Sequence, residues 1–157
     1  MKAILMSDIH LEFKQGAENK ISSPSDDVEL IILAGDIGCN GNDTVEWIDG
    51  FAQGREVIYV LGNHEYYNNM FPDEIESVKK AAADYPNIHV LENETFIYKE
   101  TVFLGCTLWS DFNLFGTREL SEIQCKPLAD FSHIKTEKGL IEAKDIRKTH
   151  KQSLQWL

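Results

Sequence analysis

The sequence predicts one α/β domain built on a parallel sheet whose strands each run into a polar cluster. Three observations carry this reading. Three short aliphatic runs fall within the first 65 residues, each followed at once by Asp, Gly, Asn or His. Two of the runs are apolar throughout and the other is broken only once, the pattern of strands buried on both faces and not of half-exposed ones. The length of 157 residues and the hydrophobic content of 43% suit a single domain with a buried core.

The elements follow in order. Ala3-Ile4-Leu5-Met6 is the first strand and leads into Ser7-Asp8-Ile9-His10. Val28 to Leu33, broken only by Glu29, is the second and leads into Ala34-Gly35-Asp36. Asn42-Asp43-Thr44 then offers an N-cap, and Val45, Trp47, Ile48, Phe51 and Ala52 have helical spacing. Val57 to Leu61 is the third strand and leads into Gly62-Asn63-His64-Glu65. This β-α-β order predicts consecutive strands side by side and parallel. Phe71 to Tyr85 reads as a helix, with Pro72 in its first turn, Pro86 beyond its end, and a stripe of Ile75, Val78, Ala82 and Tyr85. Short strands are expected at Ile88 to Leu91, Thr95 to Tyr98 and Val102 to Leu104, with Lys99-Glu100 as a hairpin turn. Trp109 to His133 keeps no sustained period and reads as a long loop with room for a short helix. Ile141 to Leu157 reads as a helix with no terminal cap, which stops while still apolar as though cut.

Composition narrows the function classes. No apolar run approaches the roughly 18 residues of a membrane span. The apolar stretch after Met1-Lys2 is too short for a secretory signal. Cys39, Cys106 and Cys125 are odd in number and form no CxxC pair, so they read as reduced thiols of a cytoplasmic protein. The formal charge of -11 repels a phosphate backbone and argues against long nucleic acid as a partner. A small anionic substrate remains compatible if bound metal ions make the site locally positive.

The polar clusters carry the chemistry. Each follows the carboxyl end of a buried strand, the edge where open α/β sheets bind ligands. Asp8 and His10 are two apart and point to one side of an extended segment. A carboxylate and an imidazole together suit Zn, Mn or Fe better than Ca. Asp36 sits behind Gly35 at the end of the neighbouring strand, and its two oxygens can join two ions. Asn63 adds an amide oxygen and His64 an imidazole. Asp-x-His or Gly-Asp alone would mean only a solvated turn; three such clusters in order, each at a strand end, point to a site.

The order Asp8-x-His10, Gly35-Asp36, Gly62-Asn63-His64-Glu65 resembles the calcineurin-like metallophosphoesterase family. Tyr66-Tyr67, the stretch Phe103 to Asp111, and Asp130-Phe131 are similar to a branch of small bacterial and phage members. The resemblance implies a four-layer αββα sandwich and two divalent ions, of Mn, Fe, Zn or Ni. Asp8 and His10 would bind the first ion, Asp36 would bridge both, and Asn63 would bind the second. His64 would contact the phosphate and protonate the leaving oxygen of a phosphomonoester or phosphodiester. Family members continue with a further His and then a Gly-His-x-His cluster, which complete both metal sites. Here only His89, His133 and His150 lie downstream of His64, none in such a context. The chain is therefore expected to be one domain over 1–157, truncated at its C-terminus. It would lack the second half of the fold, be inactive alone, and tend to self-associate through an uncovered sheet edge. The competing expectation is a non-catalytic scaffold that keeps the fold for protein binding.

Overall fold

The aliphatic runs do become a parallel sheet. In the computed structural model, which describes residues 1–13 and 21–157, strands β1 (Ala3–Met6), β2 (Leu30–Ala34), β3 (Glu56–Val60) and β4 (Ile88–Val90) lie in the order β1-β2-β3-β4. All three pairings are parallel, with Ala3 opposite Leu30, Leu30 opposite Glu56 and Val57 opposite Ile88. The sheet buries both faces of its central strands, which is why β2 and β3 are aliphatic without alternation.

One face is covered by helices α1 (Gly41–Ala52) and α2 (Glu74–Ala82). Val45, Ile48 and Phe51 of α1 and Ile75, Val78 and Ala82 of α2 pack with Ile31, Leu33, Val57, Tyr59 and Val90 of the sheet. The cap of α1 is Asn40, two residues before the expected Asn42-Asp43-Thr44. Its side-chain oxygen accepts from the backbone N–H groups of Asn42 and Asp43 at 3.1 and 3.4 Å. Asn40 is the last extended residue, which is the backbone a cap requires, and Thr44 is already buried inside the helix. Helix α2 is shorter than the Phe71 to Tyr85 expected. Pro72 lies in the turn before it, and Tyr85 closes a turn after it while still packing on the core.

The other face carries an antiparallel hairpin of β5 (Glu94–Tyr98) and β6 (Thr101–Gly105), turning at Lys99-Glu100. Phe96, Tyr98 and Phe103 pack on Leu30, Ile58 and Leu91. The layers are thus helices, sheet and hairpin, consistent with the N-terminal portion of the expected sandwich. Alternation along the hairpin leaves Ile97, Val102 and Leu104 facing outward and exposed.

Trp109 to His133 is more regular than its sequence suggests. It contains α3 (Arg118–Gln124) and α4 (Asp130–His133), both short and with no buried residue, so neither leaves an apolar stripe in the sequence. A small hairpin of β7 (Lys135–Thr136) and β8 (Gly139–Leu140) leads to α5 (Ala143–Trp156). Helix α5 is capped at its start. Glu142 and Asp145 form a reciprocal box in which the Glu142 backbone N–H donates to the Asp145 carboxylate at 3.0 Å. An acidic residue in place of Ser or Thr makes that box hard to see in sequence. Arg147 of α5 pairs with Glu122 of α3 at 2.9 Å, tying the two helices together.

Candidate metal centre

The chain leaves β1 without leaving the sheet. Asp8 N–H donates to the Gly35 carbonyl at 3.2 Å and His10 N–H to the Asp36 carbonyl at 3.0 Å, so residues 8–10 run beside 35–36. Asp8, His10 and Asp36 all adopt left-handed backbone, with φ of 53°, 51° and 56°. Such conformations cost roughly 1 kcal/mol or more for a residue with a side chain, and they gather where function overrides local preference. Here they turn three donor side chains toward one point. Glycine makes the approach of β2 and β3 possible. A Cβ on Gly62 would lie 2.2 Å from the Asp36 side chain, and one on Gly35 would lie 2.7 Å from the Gly62 nitrogen.

Asp8, His10 and Asp36 each offer a ligand atom, and these atoms lie within 4.8 Å of one another. Two carboxylates and an imidazole at that spacing fit a first-row divalent ion. Asp36 accepts the His64 backbone N–H at 3.0 Å, which fixes its carboxylate over the end of β3. Asn63 and His64 follow directly in the 3-10 turn after β3. The Asn63 amide nitrogen donates to Asp130 at 2.6 Å and to the Tyr67 hydroxyl at 3.1 Å. The His64 and His10 rings lie edge to face, 4.3 Å apart, and Tyr67 stacks on His64 at 4.2 Å.

Glu12 was not singled out from the sequence, and it sits between the two imidazoles. Its Oε1 lies 2.8 Å from His64 Nδ1 and 3.2 Å from His10 Nδ1. Burial works to raise the Glu12 carboxyl. Hydrogen bonds from its backbone, His64 and His10 outweigh that and hold it below the usual carboxylate range. A charged Glu12 therefore faces both Nδ1 atoms, leaving both Nε2 atoms free for other partners. Glu12 continues the two-residue spacing of Asp8 and His10, the one signal that could have found it. Close by, burial and then the Glu12 charge push the Cys39 thiol up to about 12, so it stays protonated.

Glu65 supports the centre from beneath and is 1% exposed. Its carboxylate accepts from the backbone N–H of Asp36 (3.1 Å), Ile37 (2.7 Å) and Gly62 (2.8 Å) and from the Tyr59 hydroxyl (2.8 Å). Burial pushes this carboxyl above its usual range, while those donors pull the other way.

The remaining histidines stand apart. His89 lies on β4, pairs with Glu56 at 2.7 Å and stacks on Phe96, a structural role. His133 stacks on Tyr67 at 5.3 Å from the outer side. His150, on α5, sits 2.8 Å from the Leu108 carbonyl and anchors the loop after β6. Tyr66 is 2% exposed and belongs to the core beside Phe71 and Trp109. Tyr67 is half-buried at the site. A cavity of about 650 Å³ adjoins Asn63, lined by Trp109, Phe112, Phe131, Ser110, Gln124 and Asp130 among others.

The calcineurin-like phosphoesterase family profile matches residues 1–148. The chain is also similar to "Uncharacterized protein L509" of Acanthamoeba polyphaga mimivirus, 31% identical over 148 residues. That match covers 83% of this chain and 50% of the viral protein, so the chain spans about half the length of the curated relative it matches. With candidate ligands gathered at the strand ends and a profile match over nearly its whole length, the chain belongs to the calcineurin-like phosphoesterase family.

Proposed function

We propose that this chain holds the N-terminal half of a dinuclear site that hydrolyses small phosphomonoesters or phosphodiesters. The observation that carries the reading is the convergence of Asp8, His10 and Asp36 within 4.8 Å, with Asn63 and His64 beside them. Asp8 and His10 would hold the first ion, Asp36 would serve both, and Asn63 would hold the second. The ions are first-row divalent metals (Mn, Fe, Zn or Ni), and when bound they supply an activated water and offset charge at phosphorus. His64, its Nδ1 engaged by Glu12, directs Nε2 toward the substrate and gives a proton to the leaving oxygen.

The charge of -11 favours a small substrate over long nucleic acid. The cavity beside Asn63 offers aromatic faces to the leaving group. With three protein ligands for the first ion and two for the second, this chain binds the second weakly and does not turn over alone. The same reading places it in the reducing cytoplasm, on its three free cysteines. Among the described residues no helix is long and apolar enough to cross a membrane. It also includes self-association through the open apolar surface of the hairpin.

Metal analysis of the purified chain tests the centre. The expected result is uptake of Mn²⁺ that Asp36→Ala abolishes and His64→Ala retains. No uptake by the wild-type chain would overturn the reading and favour a protein-binding scaffold. An aryl phosphodiester assay with Mn²⁺ tests completeness: turnover by this chain, lost in both variants, would show the site to be whole.

A further inference from the structure

We infer that Asp130, with Tyr67, is a positioning residue that turns the amide oxygen of Asn63 toward the second metal ion. The inference rests on the proposed role of Asn63 as a ligand and assigns the group that makes it one. Asp130 Oδ1 accepts from Asn63 Nδ2 at 2.6 Å and from the Tyr67 hydroxyl at 2.8 Å, while that hydroxyl accepts from Asn63 Nδ2 at 3.1 Å. The three groups close a triangle on the amide nitrogen of Asn63.

Chemistry fixes the direction of the amide. An ionised carboxylate can only accept, so it must face the nitrogen, and the oxygen must face the opposite way. An amide turned over would aim two N–H groups at a cation and offer no lone pair. Asp130 therefore decides whether Asn63 is a ligand at all, although it lies 67 residues away. Its place is set by backbone and does not depend on a flexible side chain. Asn68 N–H donates to the His133 carbonyl at 2.7 Å, Lys135 N–H to the Asn69 carbonyl at 3.1 Å, and Phe71 N–H to the Lys135 carbonyl at 2.7 Å. These bonds strap α4 and the strand after it onto residues 68–71, just past the turn that carries Asn63 and His64. A carboxylate behind a ligand also strengthens its donor atom, as it does for metal-bound histidine.

Mn²⁺ titration of the wild-type chain, Asp130→Asn and Tyr67→Phe tests this, with calorimetry for affinity and electron paramagnetic resonance for the exchange-coupled ion pair. Wild type is expected to bind one ion tightly and a second weakly, with a coupled signal when both are present. In Asp130→Asn the new amide can face Asn63 with either end, so the second ion weakens at least tenfold and the coupled signal is lost. The first ion keeps its affinity. Tyr67→Phe, which leaves Asp130 in place, weakens the second ion by less and the first not at all. If Asp130→Asn does not fold, the Tyr67→Phe result decides. A second ion unchanged in the variants overturns the inference, as does equal weakening of both ions, which would make the triangle a structural tie. A wild-type chain that binds one ion also overturns it, because Asn63 then has no ion to serve. A wild-type chain that binds none overturns the proposed function itself.

Discussion

Glu12 presents one carboxylate oxygen to two imidazoles, and those imidazoles have different work in the proposed mechanism. His10 lies with Nε2 3.9 Å from Asp8, on the metal side, while His64 faces the substrate side. The charge on Glu12 selects the Nδ1–H form of both rings at once, and a neutral substitute removes that selection from both. In Glu12→Gln the amide oxygen can still accept from one ring, but the opposite end now presents N–H groups to its surroundings. First-ion affinity for Mn²⁺ should fall about tenfold or more, the usual effect of losing a carboxylate behind a metal-bound histidine. Competition with a metal-sensitive dye reads this directly. Wild-type affinity in Glu12→Gln would show that the Glu12 contact leaves the metal site unaffected.

At the scale of elements, the polar strand ends are held by a residue the sequence put inside its best motif without giving it a role. Glu65 gathers donors from the ends of β2 and β3 and from Tyr59, and so joins the segments that carry Asp36 and Asn63. Glu65→Gln keeps the volume but turns an NH₂ toward two of the four donors. Each buried donor left without an acceptor costs about 1–3 kcal/mol, so the variant should lose roughly 2–3 kcal/mol of stability. Urea denaturation of the metal-free protein measures it, and a loss under about 0.5 kcal/mol, the scale of an ordinary surface substitution, would contradict the role. Why some elements were legible and others were not follows from the same contrast. The strands β1 to β3 are continuous aliphatic runs because both sheet faces are covered, and α1 and α2 show stripes because one face packs on that sheet. Helices α3 and α4 have no fully buried residue and so leave no period to read. Asp8, His10 and Asp36 were legible because short sequence motifs put them at strand ends. Glu12 and Asp130 were not, because their partners are fixed by tertiary approach: Glu12 reaches His64 across 52 residues and Asp130 reaches Asn63 across 67.

For the whole molecule, the consequence of three layers is an apolar surface that no described residue covers. The outer face of the β5–β6 hairpin exposes Ile97 by 65%, Val102 by 58% and Leu104 by 56%, and Ile97 and Val102 stand directly opposite each other. Leu5 on the edge strand β1 is 69% exposed. A two-stranded hairpin of this kind also offers unpaired backbone at its edges, which a second chain can extend. The isolated chain should therefore associate with itself at high concentration. Burying an aliphatic side chain contributes roughly 1.5–3 kcal/mol. Replacing two of them with lysine, as Ile97→Lys with Leu104→Lys, should weaken association more than tenfold, and the like charges oppose it further. Sedimentation velocity over a concentration series reads the outcome, with metal binding as the check that the variant is folded. A wild-type chain that stays monomeric throughout, or a double variant that associates as strongly as wild type, would mean that this surface does not drive contact between copies. The candidate metal centre lies at the strand ends and the hairpin surface on a separate face. The lysine variant should therefore bind its first ion as wild type does, which separates loss of association from loss of the site.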